Sequence, residues 1–366
     1  MLSATQSRSL VNEVRQSPPV DTSAPYDPSW IGGKTILITG GASGFGEGFF
    51  RKWAAHGANV IIGDVDDARG RSLVEEVRKS TRNQNHHYLH CDVRDWQSQV
   101  DFFRNAAMLS PEGGIDAVVA NAGVTDSAQF ETPIGLDSET PPKPSLMCVE
   151  VGLIGVLYTA HLAMFYLPLN EKSQKADRSP KPVVSARDRH LLLIGSMASI
   201  LPFPGQALYS VAKHGVLGLF RSLRATAFVK GIRVNLLCPY FIDTPFIKTA
   251  GRVLLAGGAT GKAEDVIDAA TRLMADMMIV GRSLVVGPKV NISIDDELQL
   301  VPQTDKSGRE LAVWEVNAYD FDNVEIFAAR FVKLVNTVEA LRGWVGWASD
   351  LIKALSYPLR ALLGKR

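Results

Sequence analysis

Little in this chain points to a disulfide framework, a metal centre or nucleic acid. Only three cysteines, Cys91, Cys148 and Cys238, occur in 366 residues, far apart and without C-x-x-C spacing. An odd, unpaired set fits a reducing compartment, with each thiol a small core residue. His86, His87 and His90 fall close together, yet no carboxylate or thiol stands at ligand spacing, so no metal site is expected. Lys and Arg (39) balance Asp and Glu (38), and no dense basic block exists. That removes the electrostatic footprint of a nucleic-acid binder. No apolar run is expected to cross a bilayer, and residues 1–29 lack the apolar centre of a secretory signal. These absences point to a soluble cytoplasmic protein. Arg8 and Arg15 among serines leave a mitochondrial presequence as the alternative, with Glu13 and weak periodicity against it.

What is present is an ordered series of short apolar runs, each followed by a helical pattern. Hydrophobic residues make up 46% of the chain, ample for a full core. After a Pro-rich arm, KTILIT reads as a buried strand that runs into Thr39, Gly40, Gly41, Ala42, Ser43, Gly44, Phe45 and Gly46, and then a helix ending at Gly57. In that context glycines let the backbone turn tightly and approach a pyrophosphate, while the helix N-terminus offers free N–H groups. The bland reading is a tight turn whose glycines serve helix–strand packing. The strand NVIIGD ends at Asp64, about twenty residues beyond the glycines, where a carboxylate accepts from adenosine ribose hydroxyls and repels a 2′-phosphate. No Arg or Lys stands just before Gly44 or just after Asp64, so NAD(H) is favoured over NADP(H).

Further strands follow. HYLHCDV ends at Asp92 and Val93, placed to meet an adenine edge, although an Asp there also serves as a helix cap. IDAVVANAG ends in Asn121, Ala122 and Gly123, suited to tying the central sheet together beside a ribose. RHLLLIGSM delivers Ser196, and IRVNLLCP leads to Tyr240, Phe241 and Thr244, in a loop positioned over the nicotinamide end of a cofactor. SLVVGP makes a seventh strand. Alternating strands and helices imply an α/β fold, a parallel sheet with helices on both faces, whose ligands bind at the carboxyl ends of the strands.

Tyr209 and Lys213 share one helix face, four residues apart, and Ser196 stands thirteen positions ahead of the tyrosine. A free phenol has a pKa of about 10 and is a poor base. A neighbouring cation lowers it toward a useful range, while a serine hydroxyl steadies a substrate oxygen. The same Y-x-x-x-K spacing also arises where a packed Tyr merely lies beside a solvated Lys.

Together these residues resemble the single-domain short-chain dehydrogenases/reductases over about residues 32–290. The likeness rests on T-G-x-x-x-G-x-G (Thr39 to Gly46), N-A-G (121–123), Ser196, Y-x-x-x-K and P-x-x-x-x-T (Pro239 to Thr244). Within the family it is most similar to the 15-hydroxyprostaglandin dehydrogenase type and related fungal NAD-dependent alcohol dehydrogenases. The resemblance implies a Rossmann-type, doubly wound, seven-stranded sheet at 30–290, between a flexible arm at 1–29 and a largely helical extension at 291–366. It implies Tyr209 as general acid/base, Lys213 holding ribose hydroxyls and lowering the tyrosine pKa, Ser196 orienting the substrate oxygen, and Thr244 holding the carboxamide. A secondary alcohol or ketone is the implied substrate, and a homodimer or homotetramer the implied assembly.

Two positions depart from the family pattern. Gly152 stands where an asparagine usually supports a water relay to the lysine, which motivates an alternative, a nucleotide-binding sensor or scaffold with weakened turnover. Tyr240 replaces the usual glycine after Pro239 and narrows the substrate side. Leu201, Phe203, Tyr240, Phe241 and Phe246 are expected to line an apolar pocket. From Asn323 the tail carries Phe327, Phe331, Leu334, Val338 and Leu341 on about one face. That face packs on the core or a partner subunit, or lies on a membrane surface.

Overall fold

A computed structural model describes residues 17–125, 130, 139–170, 187–201, 203–242, 260–292 and 309–316. Thr244, Phe246 and the tail from Asn323 lie outside these residues, as does the start of the arm.

The strands are β1 (Thr35–Thr39), β2 (Asn59–Asp64), β3 (His87–His90), β4 (Ala117–Ala120), β5 (His190–Ile194), β6 (Arg233–Pro239), β7 (Ser283–Ile292) and β8 (Arg309–Glu315). Between them run α1 (Gly44–Ala55), α2 (Asp67–Thr81), α3 (Trp96–Leu109), α4 (Met147–Leu169), α5 (Ala207–Thr226) and α6 (Ala263–Ala275). They form one sheet in the order β3-β2-β1-β4-β5-β6-β7-β8. Every pairing is parallel except that of β7 with β8. Strands buried on both faces read as continuous apolar runs, and TILIT and HLLLI are buried throughout.

Alternate side chains serve opposite layers. Leu37, Ile61, Val118, Leu191 and Leu193 pack with Phe102 and Phe103 of α3, Ala160 and Ala163 of α4, and Phe220 of α5. Ile36, Ile38, Val60, Ile62 and Leu192 pack with Phe49 and Trp53 of α1, Leu73 and Val77 of α2, and Leu273 of α6. The chain order reverses between β1 and β4, and their carboxyl ends part there.

Three expectations change. The sheet has eight strands, not seven, because Arg309–Glu315 from the supposed extension adds an antiparallel edge strand beyond β7. A register break between Val286 and Val290 bends β7 to accept it. Residues 17–29 are not a loose arm. Val20 N–H donates to Glu315 at 2.6 Å, Tyr26 hydroxyl to Asp268 at 2.7 Å, and Arg272 to the Asp21 carbonyl at 3.2 Å. Finally, α4 is long and apolar enough to cross a bilayer by length and composition, with mean hydropathy 1.7 over its window. Here its inner face, including Val156, Ala160 and Ala163, is buried in the core.

The amino ends of the strands rest on a buried ionic network. Asp116, just before β4, accepts from Thr35 N–H at 2.8 Å and from the Arg187 guanidinium at 2.9 and 3.0 Å. Asp188, just before β5, accepts from Arg233 of β6 at 2.6 Å and from Trp30 Nε1 at 3.0 Å. Burial alone would raise the Asp188 carboxyl, but the Arg233 charge and hydrogen bonds hold it down at about 2. A carboxyl depressed from about 3.9 in the unfolded chain contributes stability above that pH. The contribution is lost as pH falls through about 2. Asp188→Asn strands the Arg233 charge in the interior, and should cost about 3–5 kcal/mol in urea unfolding at pH 7. An unchanged midpoint and slope would contradict this role.

Candidate active site

A cavity of about 610 Å³ opens where β1 and β4 part, within the usual range for small-molecule sites. Its floor is the glycine turn. Gly40 and Gly44 have φ of +64° and +55°, a region that favours glycine. Gly46 is needed for a different reason. A Cβ there would collide with the Gly40 carbonyl and stand 2.8 Å from Asn121 Nδ2. Helix α1 begins at Gly44 with no side-chain cap from Ser43, so its first N–H groups face the cavity beside Ser43, Gly44 and Phe45.

Asn121 fastens this turn to β4. Its amide donates to the carbonyls of Thr39 at 3.0 Å and Gly40 at 2.8 Å, while its own N–H donates to Thr39 Oγ1 at 3.2 Å. Asp64 braces the other side. One carboxylate oxygen accepts from Ala42 N–H at 2.9 Å and the other from Asp66 N–H at 3.1 Å. Asp92 lines the cavity, but its carboxylate is gripped by Arg94 at 2.7 and 3.0 Å, a hydrogen-bonded pairing that holds its pKa below the ordinary value. Val93 lines the same wall.

Tyr209 and Lys213 reach the cavity from the first turns of α5, where burial disfavours both charged forms. Lys213 is buried, and its Nζ donates to the Ile194 carbonyl at 2.9 Å and lies 5.8 Å from the Tyr209 ring centroid. Burial pushes the ammonium down to about 8. Burial likewise pushes the half-buried Tyr209 phenol up to about 12, against a hydrogen bond from Ser196. Burial thus shifts the phenol upward overall, opposite in direction to the lowering expected from Lys213.

Ser196 ends β5 and caps the short turn Met197–Ser199. Its Oγ accepts from Ala198 N–H at 3.1 Å, and Ser199 Oγ accepts from Ser196 N–H at 3.0 Å. Ser196 is buried and bonded to Tyr209, and it is not among the residues that line the cavity, so its expected contact with a substrate oxygen is not seen here. Gly46 is likewise beneath the surface.

Of the expected substrate-side aromatics, Tyr240 alone among the described residues lines the cavity. Phe203 and Phe241 support its ring, with centroids at 6.4 and 4.9 Å. Gly152 lies in a π-helical segment of α4, Glu150–Ile154, and a Cβ there would meet Ala212, the residue before Lys213, at 3.5 Å. Ordinary contact distance means that a larger residue fits its backbone position.

Sequence reading missed Ile194, Gly195, Met147, Val151, Arg94 and Arg69 as cavity residues. The ends of β5 could have been found by extending the strand-end rule. Arg69 could not, because helical periodicity places it only on a polar face.

This is the constellation of a dinucleotide-binding α/β oxidoreductase. The short-chain dehydrogenase family model matches residues 34–253, and the chain belongs to that family. It is 33% identical over 288 residues to 5′-hydroxyaverantin dehydrogenase of Dothistroma septosporum, covering 75% of this chain and 90% of that one. An NADP-dependent dehydrogenase of a Phoma species is 34% identical over 266 residues, 69% of this chain and 74% of the other. Mouse 15-hydroxyprostaglandin dehydrogenase [NAD(+)] is 25% identical, over 60% of this chain and 71% of its own. Among solved structures, a 3-ketoacyl-(acyl-carrier-protein) reductase from Brucella melitensis complexed with NADH superposes with TM-score 0.56 at 24% identity, covering 70% of this chain and 97% of that one. That last likeness is one of fold.

Gly46→Ala tests the floor of the site. The substitution should weaken NADH binding at least tenfold in a fluorescence titration, since an added Cβ displaces the turn. Wild-type affinity in a folded variant would show that the turn does not hold the pyrophosphate.

Proposed function

We propose that the protein is an NAD(H)-dependent oxidoreductase interconverting a secondary alcohol and a ketone on a fairly apolar small molecule. The observation that carries this is that Tyr209 and Lys213 line a cavity floored by an open helix N-terminus, with Ser196 hydrogen-bonded to Tyr209. The residues present fit a dinucleotide. Free N–H groups of α1 suit its pyrophosphate, and Asp64 suits the adenosine ribose. Lys213, which gives one of its N–H groups to Ile194, has donors left for the other ribose. When bound, the nicotinamide supplies the hydride chemistry. Thr244 is assigned to its carboxamide.

In this reading Tyr209 moves the proton at its phenol oxygen, accepting it from the alcohol or returning it to the ketone. Ser196 donates its single O–H to that oxygen and steadies the negative charge as the proton shifts. The Lys213 ammonium, desolvated and close to the ring, favours the phenolate in the transition state. Tyr240, braced by Phe203 and Phe241, offers the substrate an apolar wall. The preference for NAD(H) rests on Asp64, and the NADP dependence named for the Phoma relative is the alternative it has to exclude. The sensor reading prompted by Gly152 has less support, since a retired site needs none of the three side chains.

The outward side chains of α4, among them Leu157 and Phe165, suit a homodimer or homotetramer contact. A cytoplasmic location, and a tail packed on the core, a partner subunit or a membrane surface, complete the proposal.

Tyr209→Phe removes the proton carrier and keeps the ring. Turnover of apolar secondary alcohols with NAD, followed by nicotinamide absorbance, should fall at least about 100-fold. NADH affinity should stay within about twofold. Full activity in the variant would sink the assigned role.

A further inference from the structure

At the adenosine end of the cavity, Asp64, Val65 and Arg69 share one wall. Arg69, on the second helix, is the cation nearest in sequence to the ribose-binding carboxylate, and it does not face the cavity as an unpaired charge. Its Nη2 donates to Glu47 Oε2 at 3.0 Å. Glu47 is the residue directly after the glycine turn, in the first turn of α1. Its other oxygen accepts from Arg51 Nε at 3.0 Å, and Arg51 is fixed in turn by two hydrogen bonds to Glu76 at 2.7 and 2.8 Å. Both Glu47 oxygens are therefore engaged, one of them by Arg51 of its own helix. The second cavity arginine, Arg94, is likewise held by Asp92.

We propose that the Glu47–Arg69 ion pair reinforces the coenzyme preference that Asp64 gives this protein, by neutralising the cavity arginine that follows Asp64 and would otherwise receive a 2′-phosphate. The inference rests on the dinucleotide-binding reading given above. A dianionic phosphate beside Asp64 meets repulsion and needs a cation to offset it. With Glu47 in place, the Arg69 charge is already balanced. Without it, the guanidinium is free to make a charge-assisted contact with the phosphate. The 2′-hydroxyl of NADH carries no charge and gains nothing from the change. Selection thus draws on a pair formed by two helices as well as on Asp64 at the end of β2.

The pair is half-exposed, so the effect is moderate. The experiment is a fluorescence titration of NADH and NADPH against the full chain, wild type, Glu47→Gln and Glu47→Gln/Arg69→Gln. Glu47→Gln should tighten NADPH about three- to tenfold, as expected for a partly exposed charge contact, and leave NADH within about twofold. The double variant should lose the gain, and 0.5 M salt should largely erase it in the single variant. An unchanged NADPH-to-NADH ratio in Glu47→Gln overturns the proposal, as does a gain that survives loss of Arg69. Equal affinity of the wild type for both coenzymes also overturns it. Binding of neither coenzyme by the folded wild type overturns the dinucleotide reading together with it, an outcome distinct from the others.

Discussion

Desolvation at the start of α5 is the constraint on which the site depends. It moves Tyr209 up to about 12 and Lys213 down to about 8, so burial pushes phenol and ammonium alike toward their uncharged forms. In the proposed mechanism this holds the proton carrier in reserve. A fixed donor or cation beside the phenol oxygen favours any negative charge that develops there. Ser196 and Lys213 are such groups. Each is anchored to the backbone by its own hydrogen bond, Ser196 through its capped turn and Lys213 through the Ile194 carbonyl. Cys238 is buried nearby, and burial raises its thiol to about 12, so it contributes bulk and no competing nucleophile.

Holding those groups in place requires that strand ends from distant parts of the chain keep one register. At the carboxyl ends Asn121 joins the β1 turn to β4. At the amino ends Asp116, Arg187, Asp188 and Arg233 link the starts of β4, β5 and β6. Ion pairs this deep contribute little net stability relative to a well-packed apolar core, because desolvation offsets the attraction. What they penalise is a slipped register, which would leave a bare charge inside. The two ends differ in purpose. The buried ionic end fixes the frame, and the open end holds the candidate site.

Much of this was legible in the sequence. Glycine placement, strand termini and the Ser196–Tyr209–Lys213 spacing each follow from short-range rules, and the structure gathers Gly40, Ser43, Gly44, Asp64, Asn121, Tyr209 and Lys213 around one cavity. What escaped depends on long-range polar contacts. Val20 meets Glu315 across 295 positions, a bond that no local periodicity encodes. The β8 strand has a half-buried alternation, with Ala312 and Trp314 inward, but it is short and its partner is fixed only by a break in β7. Arg69 looked like any residue on a solvated helix face until Glu47 was placed beside it. The sign of the Tyr209 shift was also out of reach, since it turns on burial, which spacing does not reveal.

In the proposed mechanism Tyr209 is a partly desolvated phenol whose proton becomes mobile when positive charge arrives beside it. Carbon-13 NMR of tyrosine-labelled protein, with Tyr209 assigned by its absence in Tyr209→Phe, measures this directly. The phenol should stay protonated to about pH 12 in the protein alone. With NAD(+) added, its pKa should drop by at least about one unit, as a cation near a buried phenol requires. A value near 10 in the protein alone, or one that NAD(+) leaves unmoved, would contradict the account.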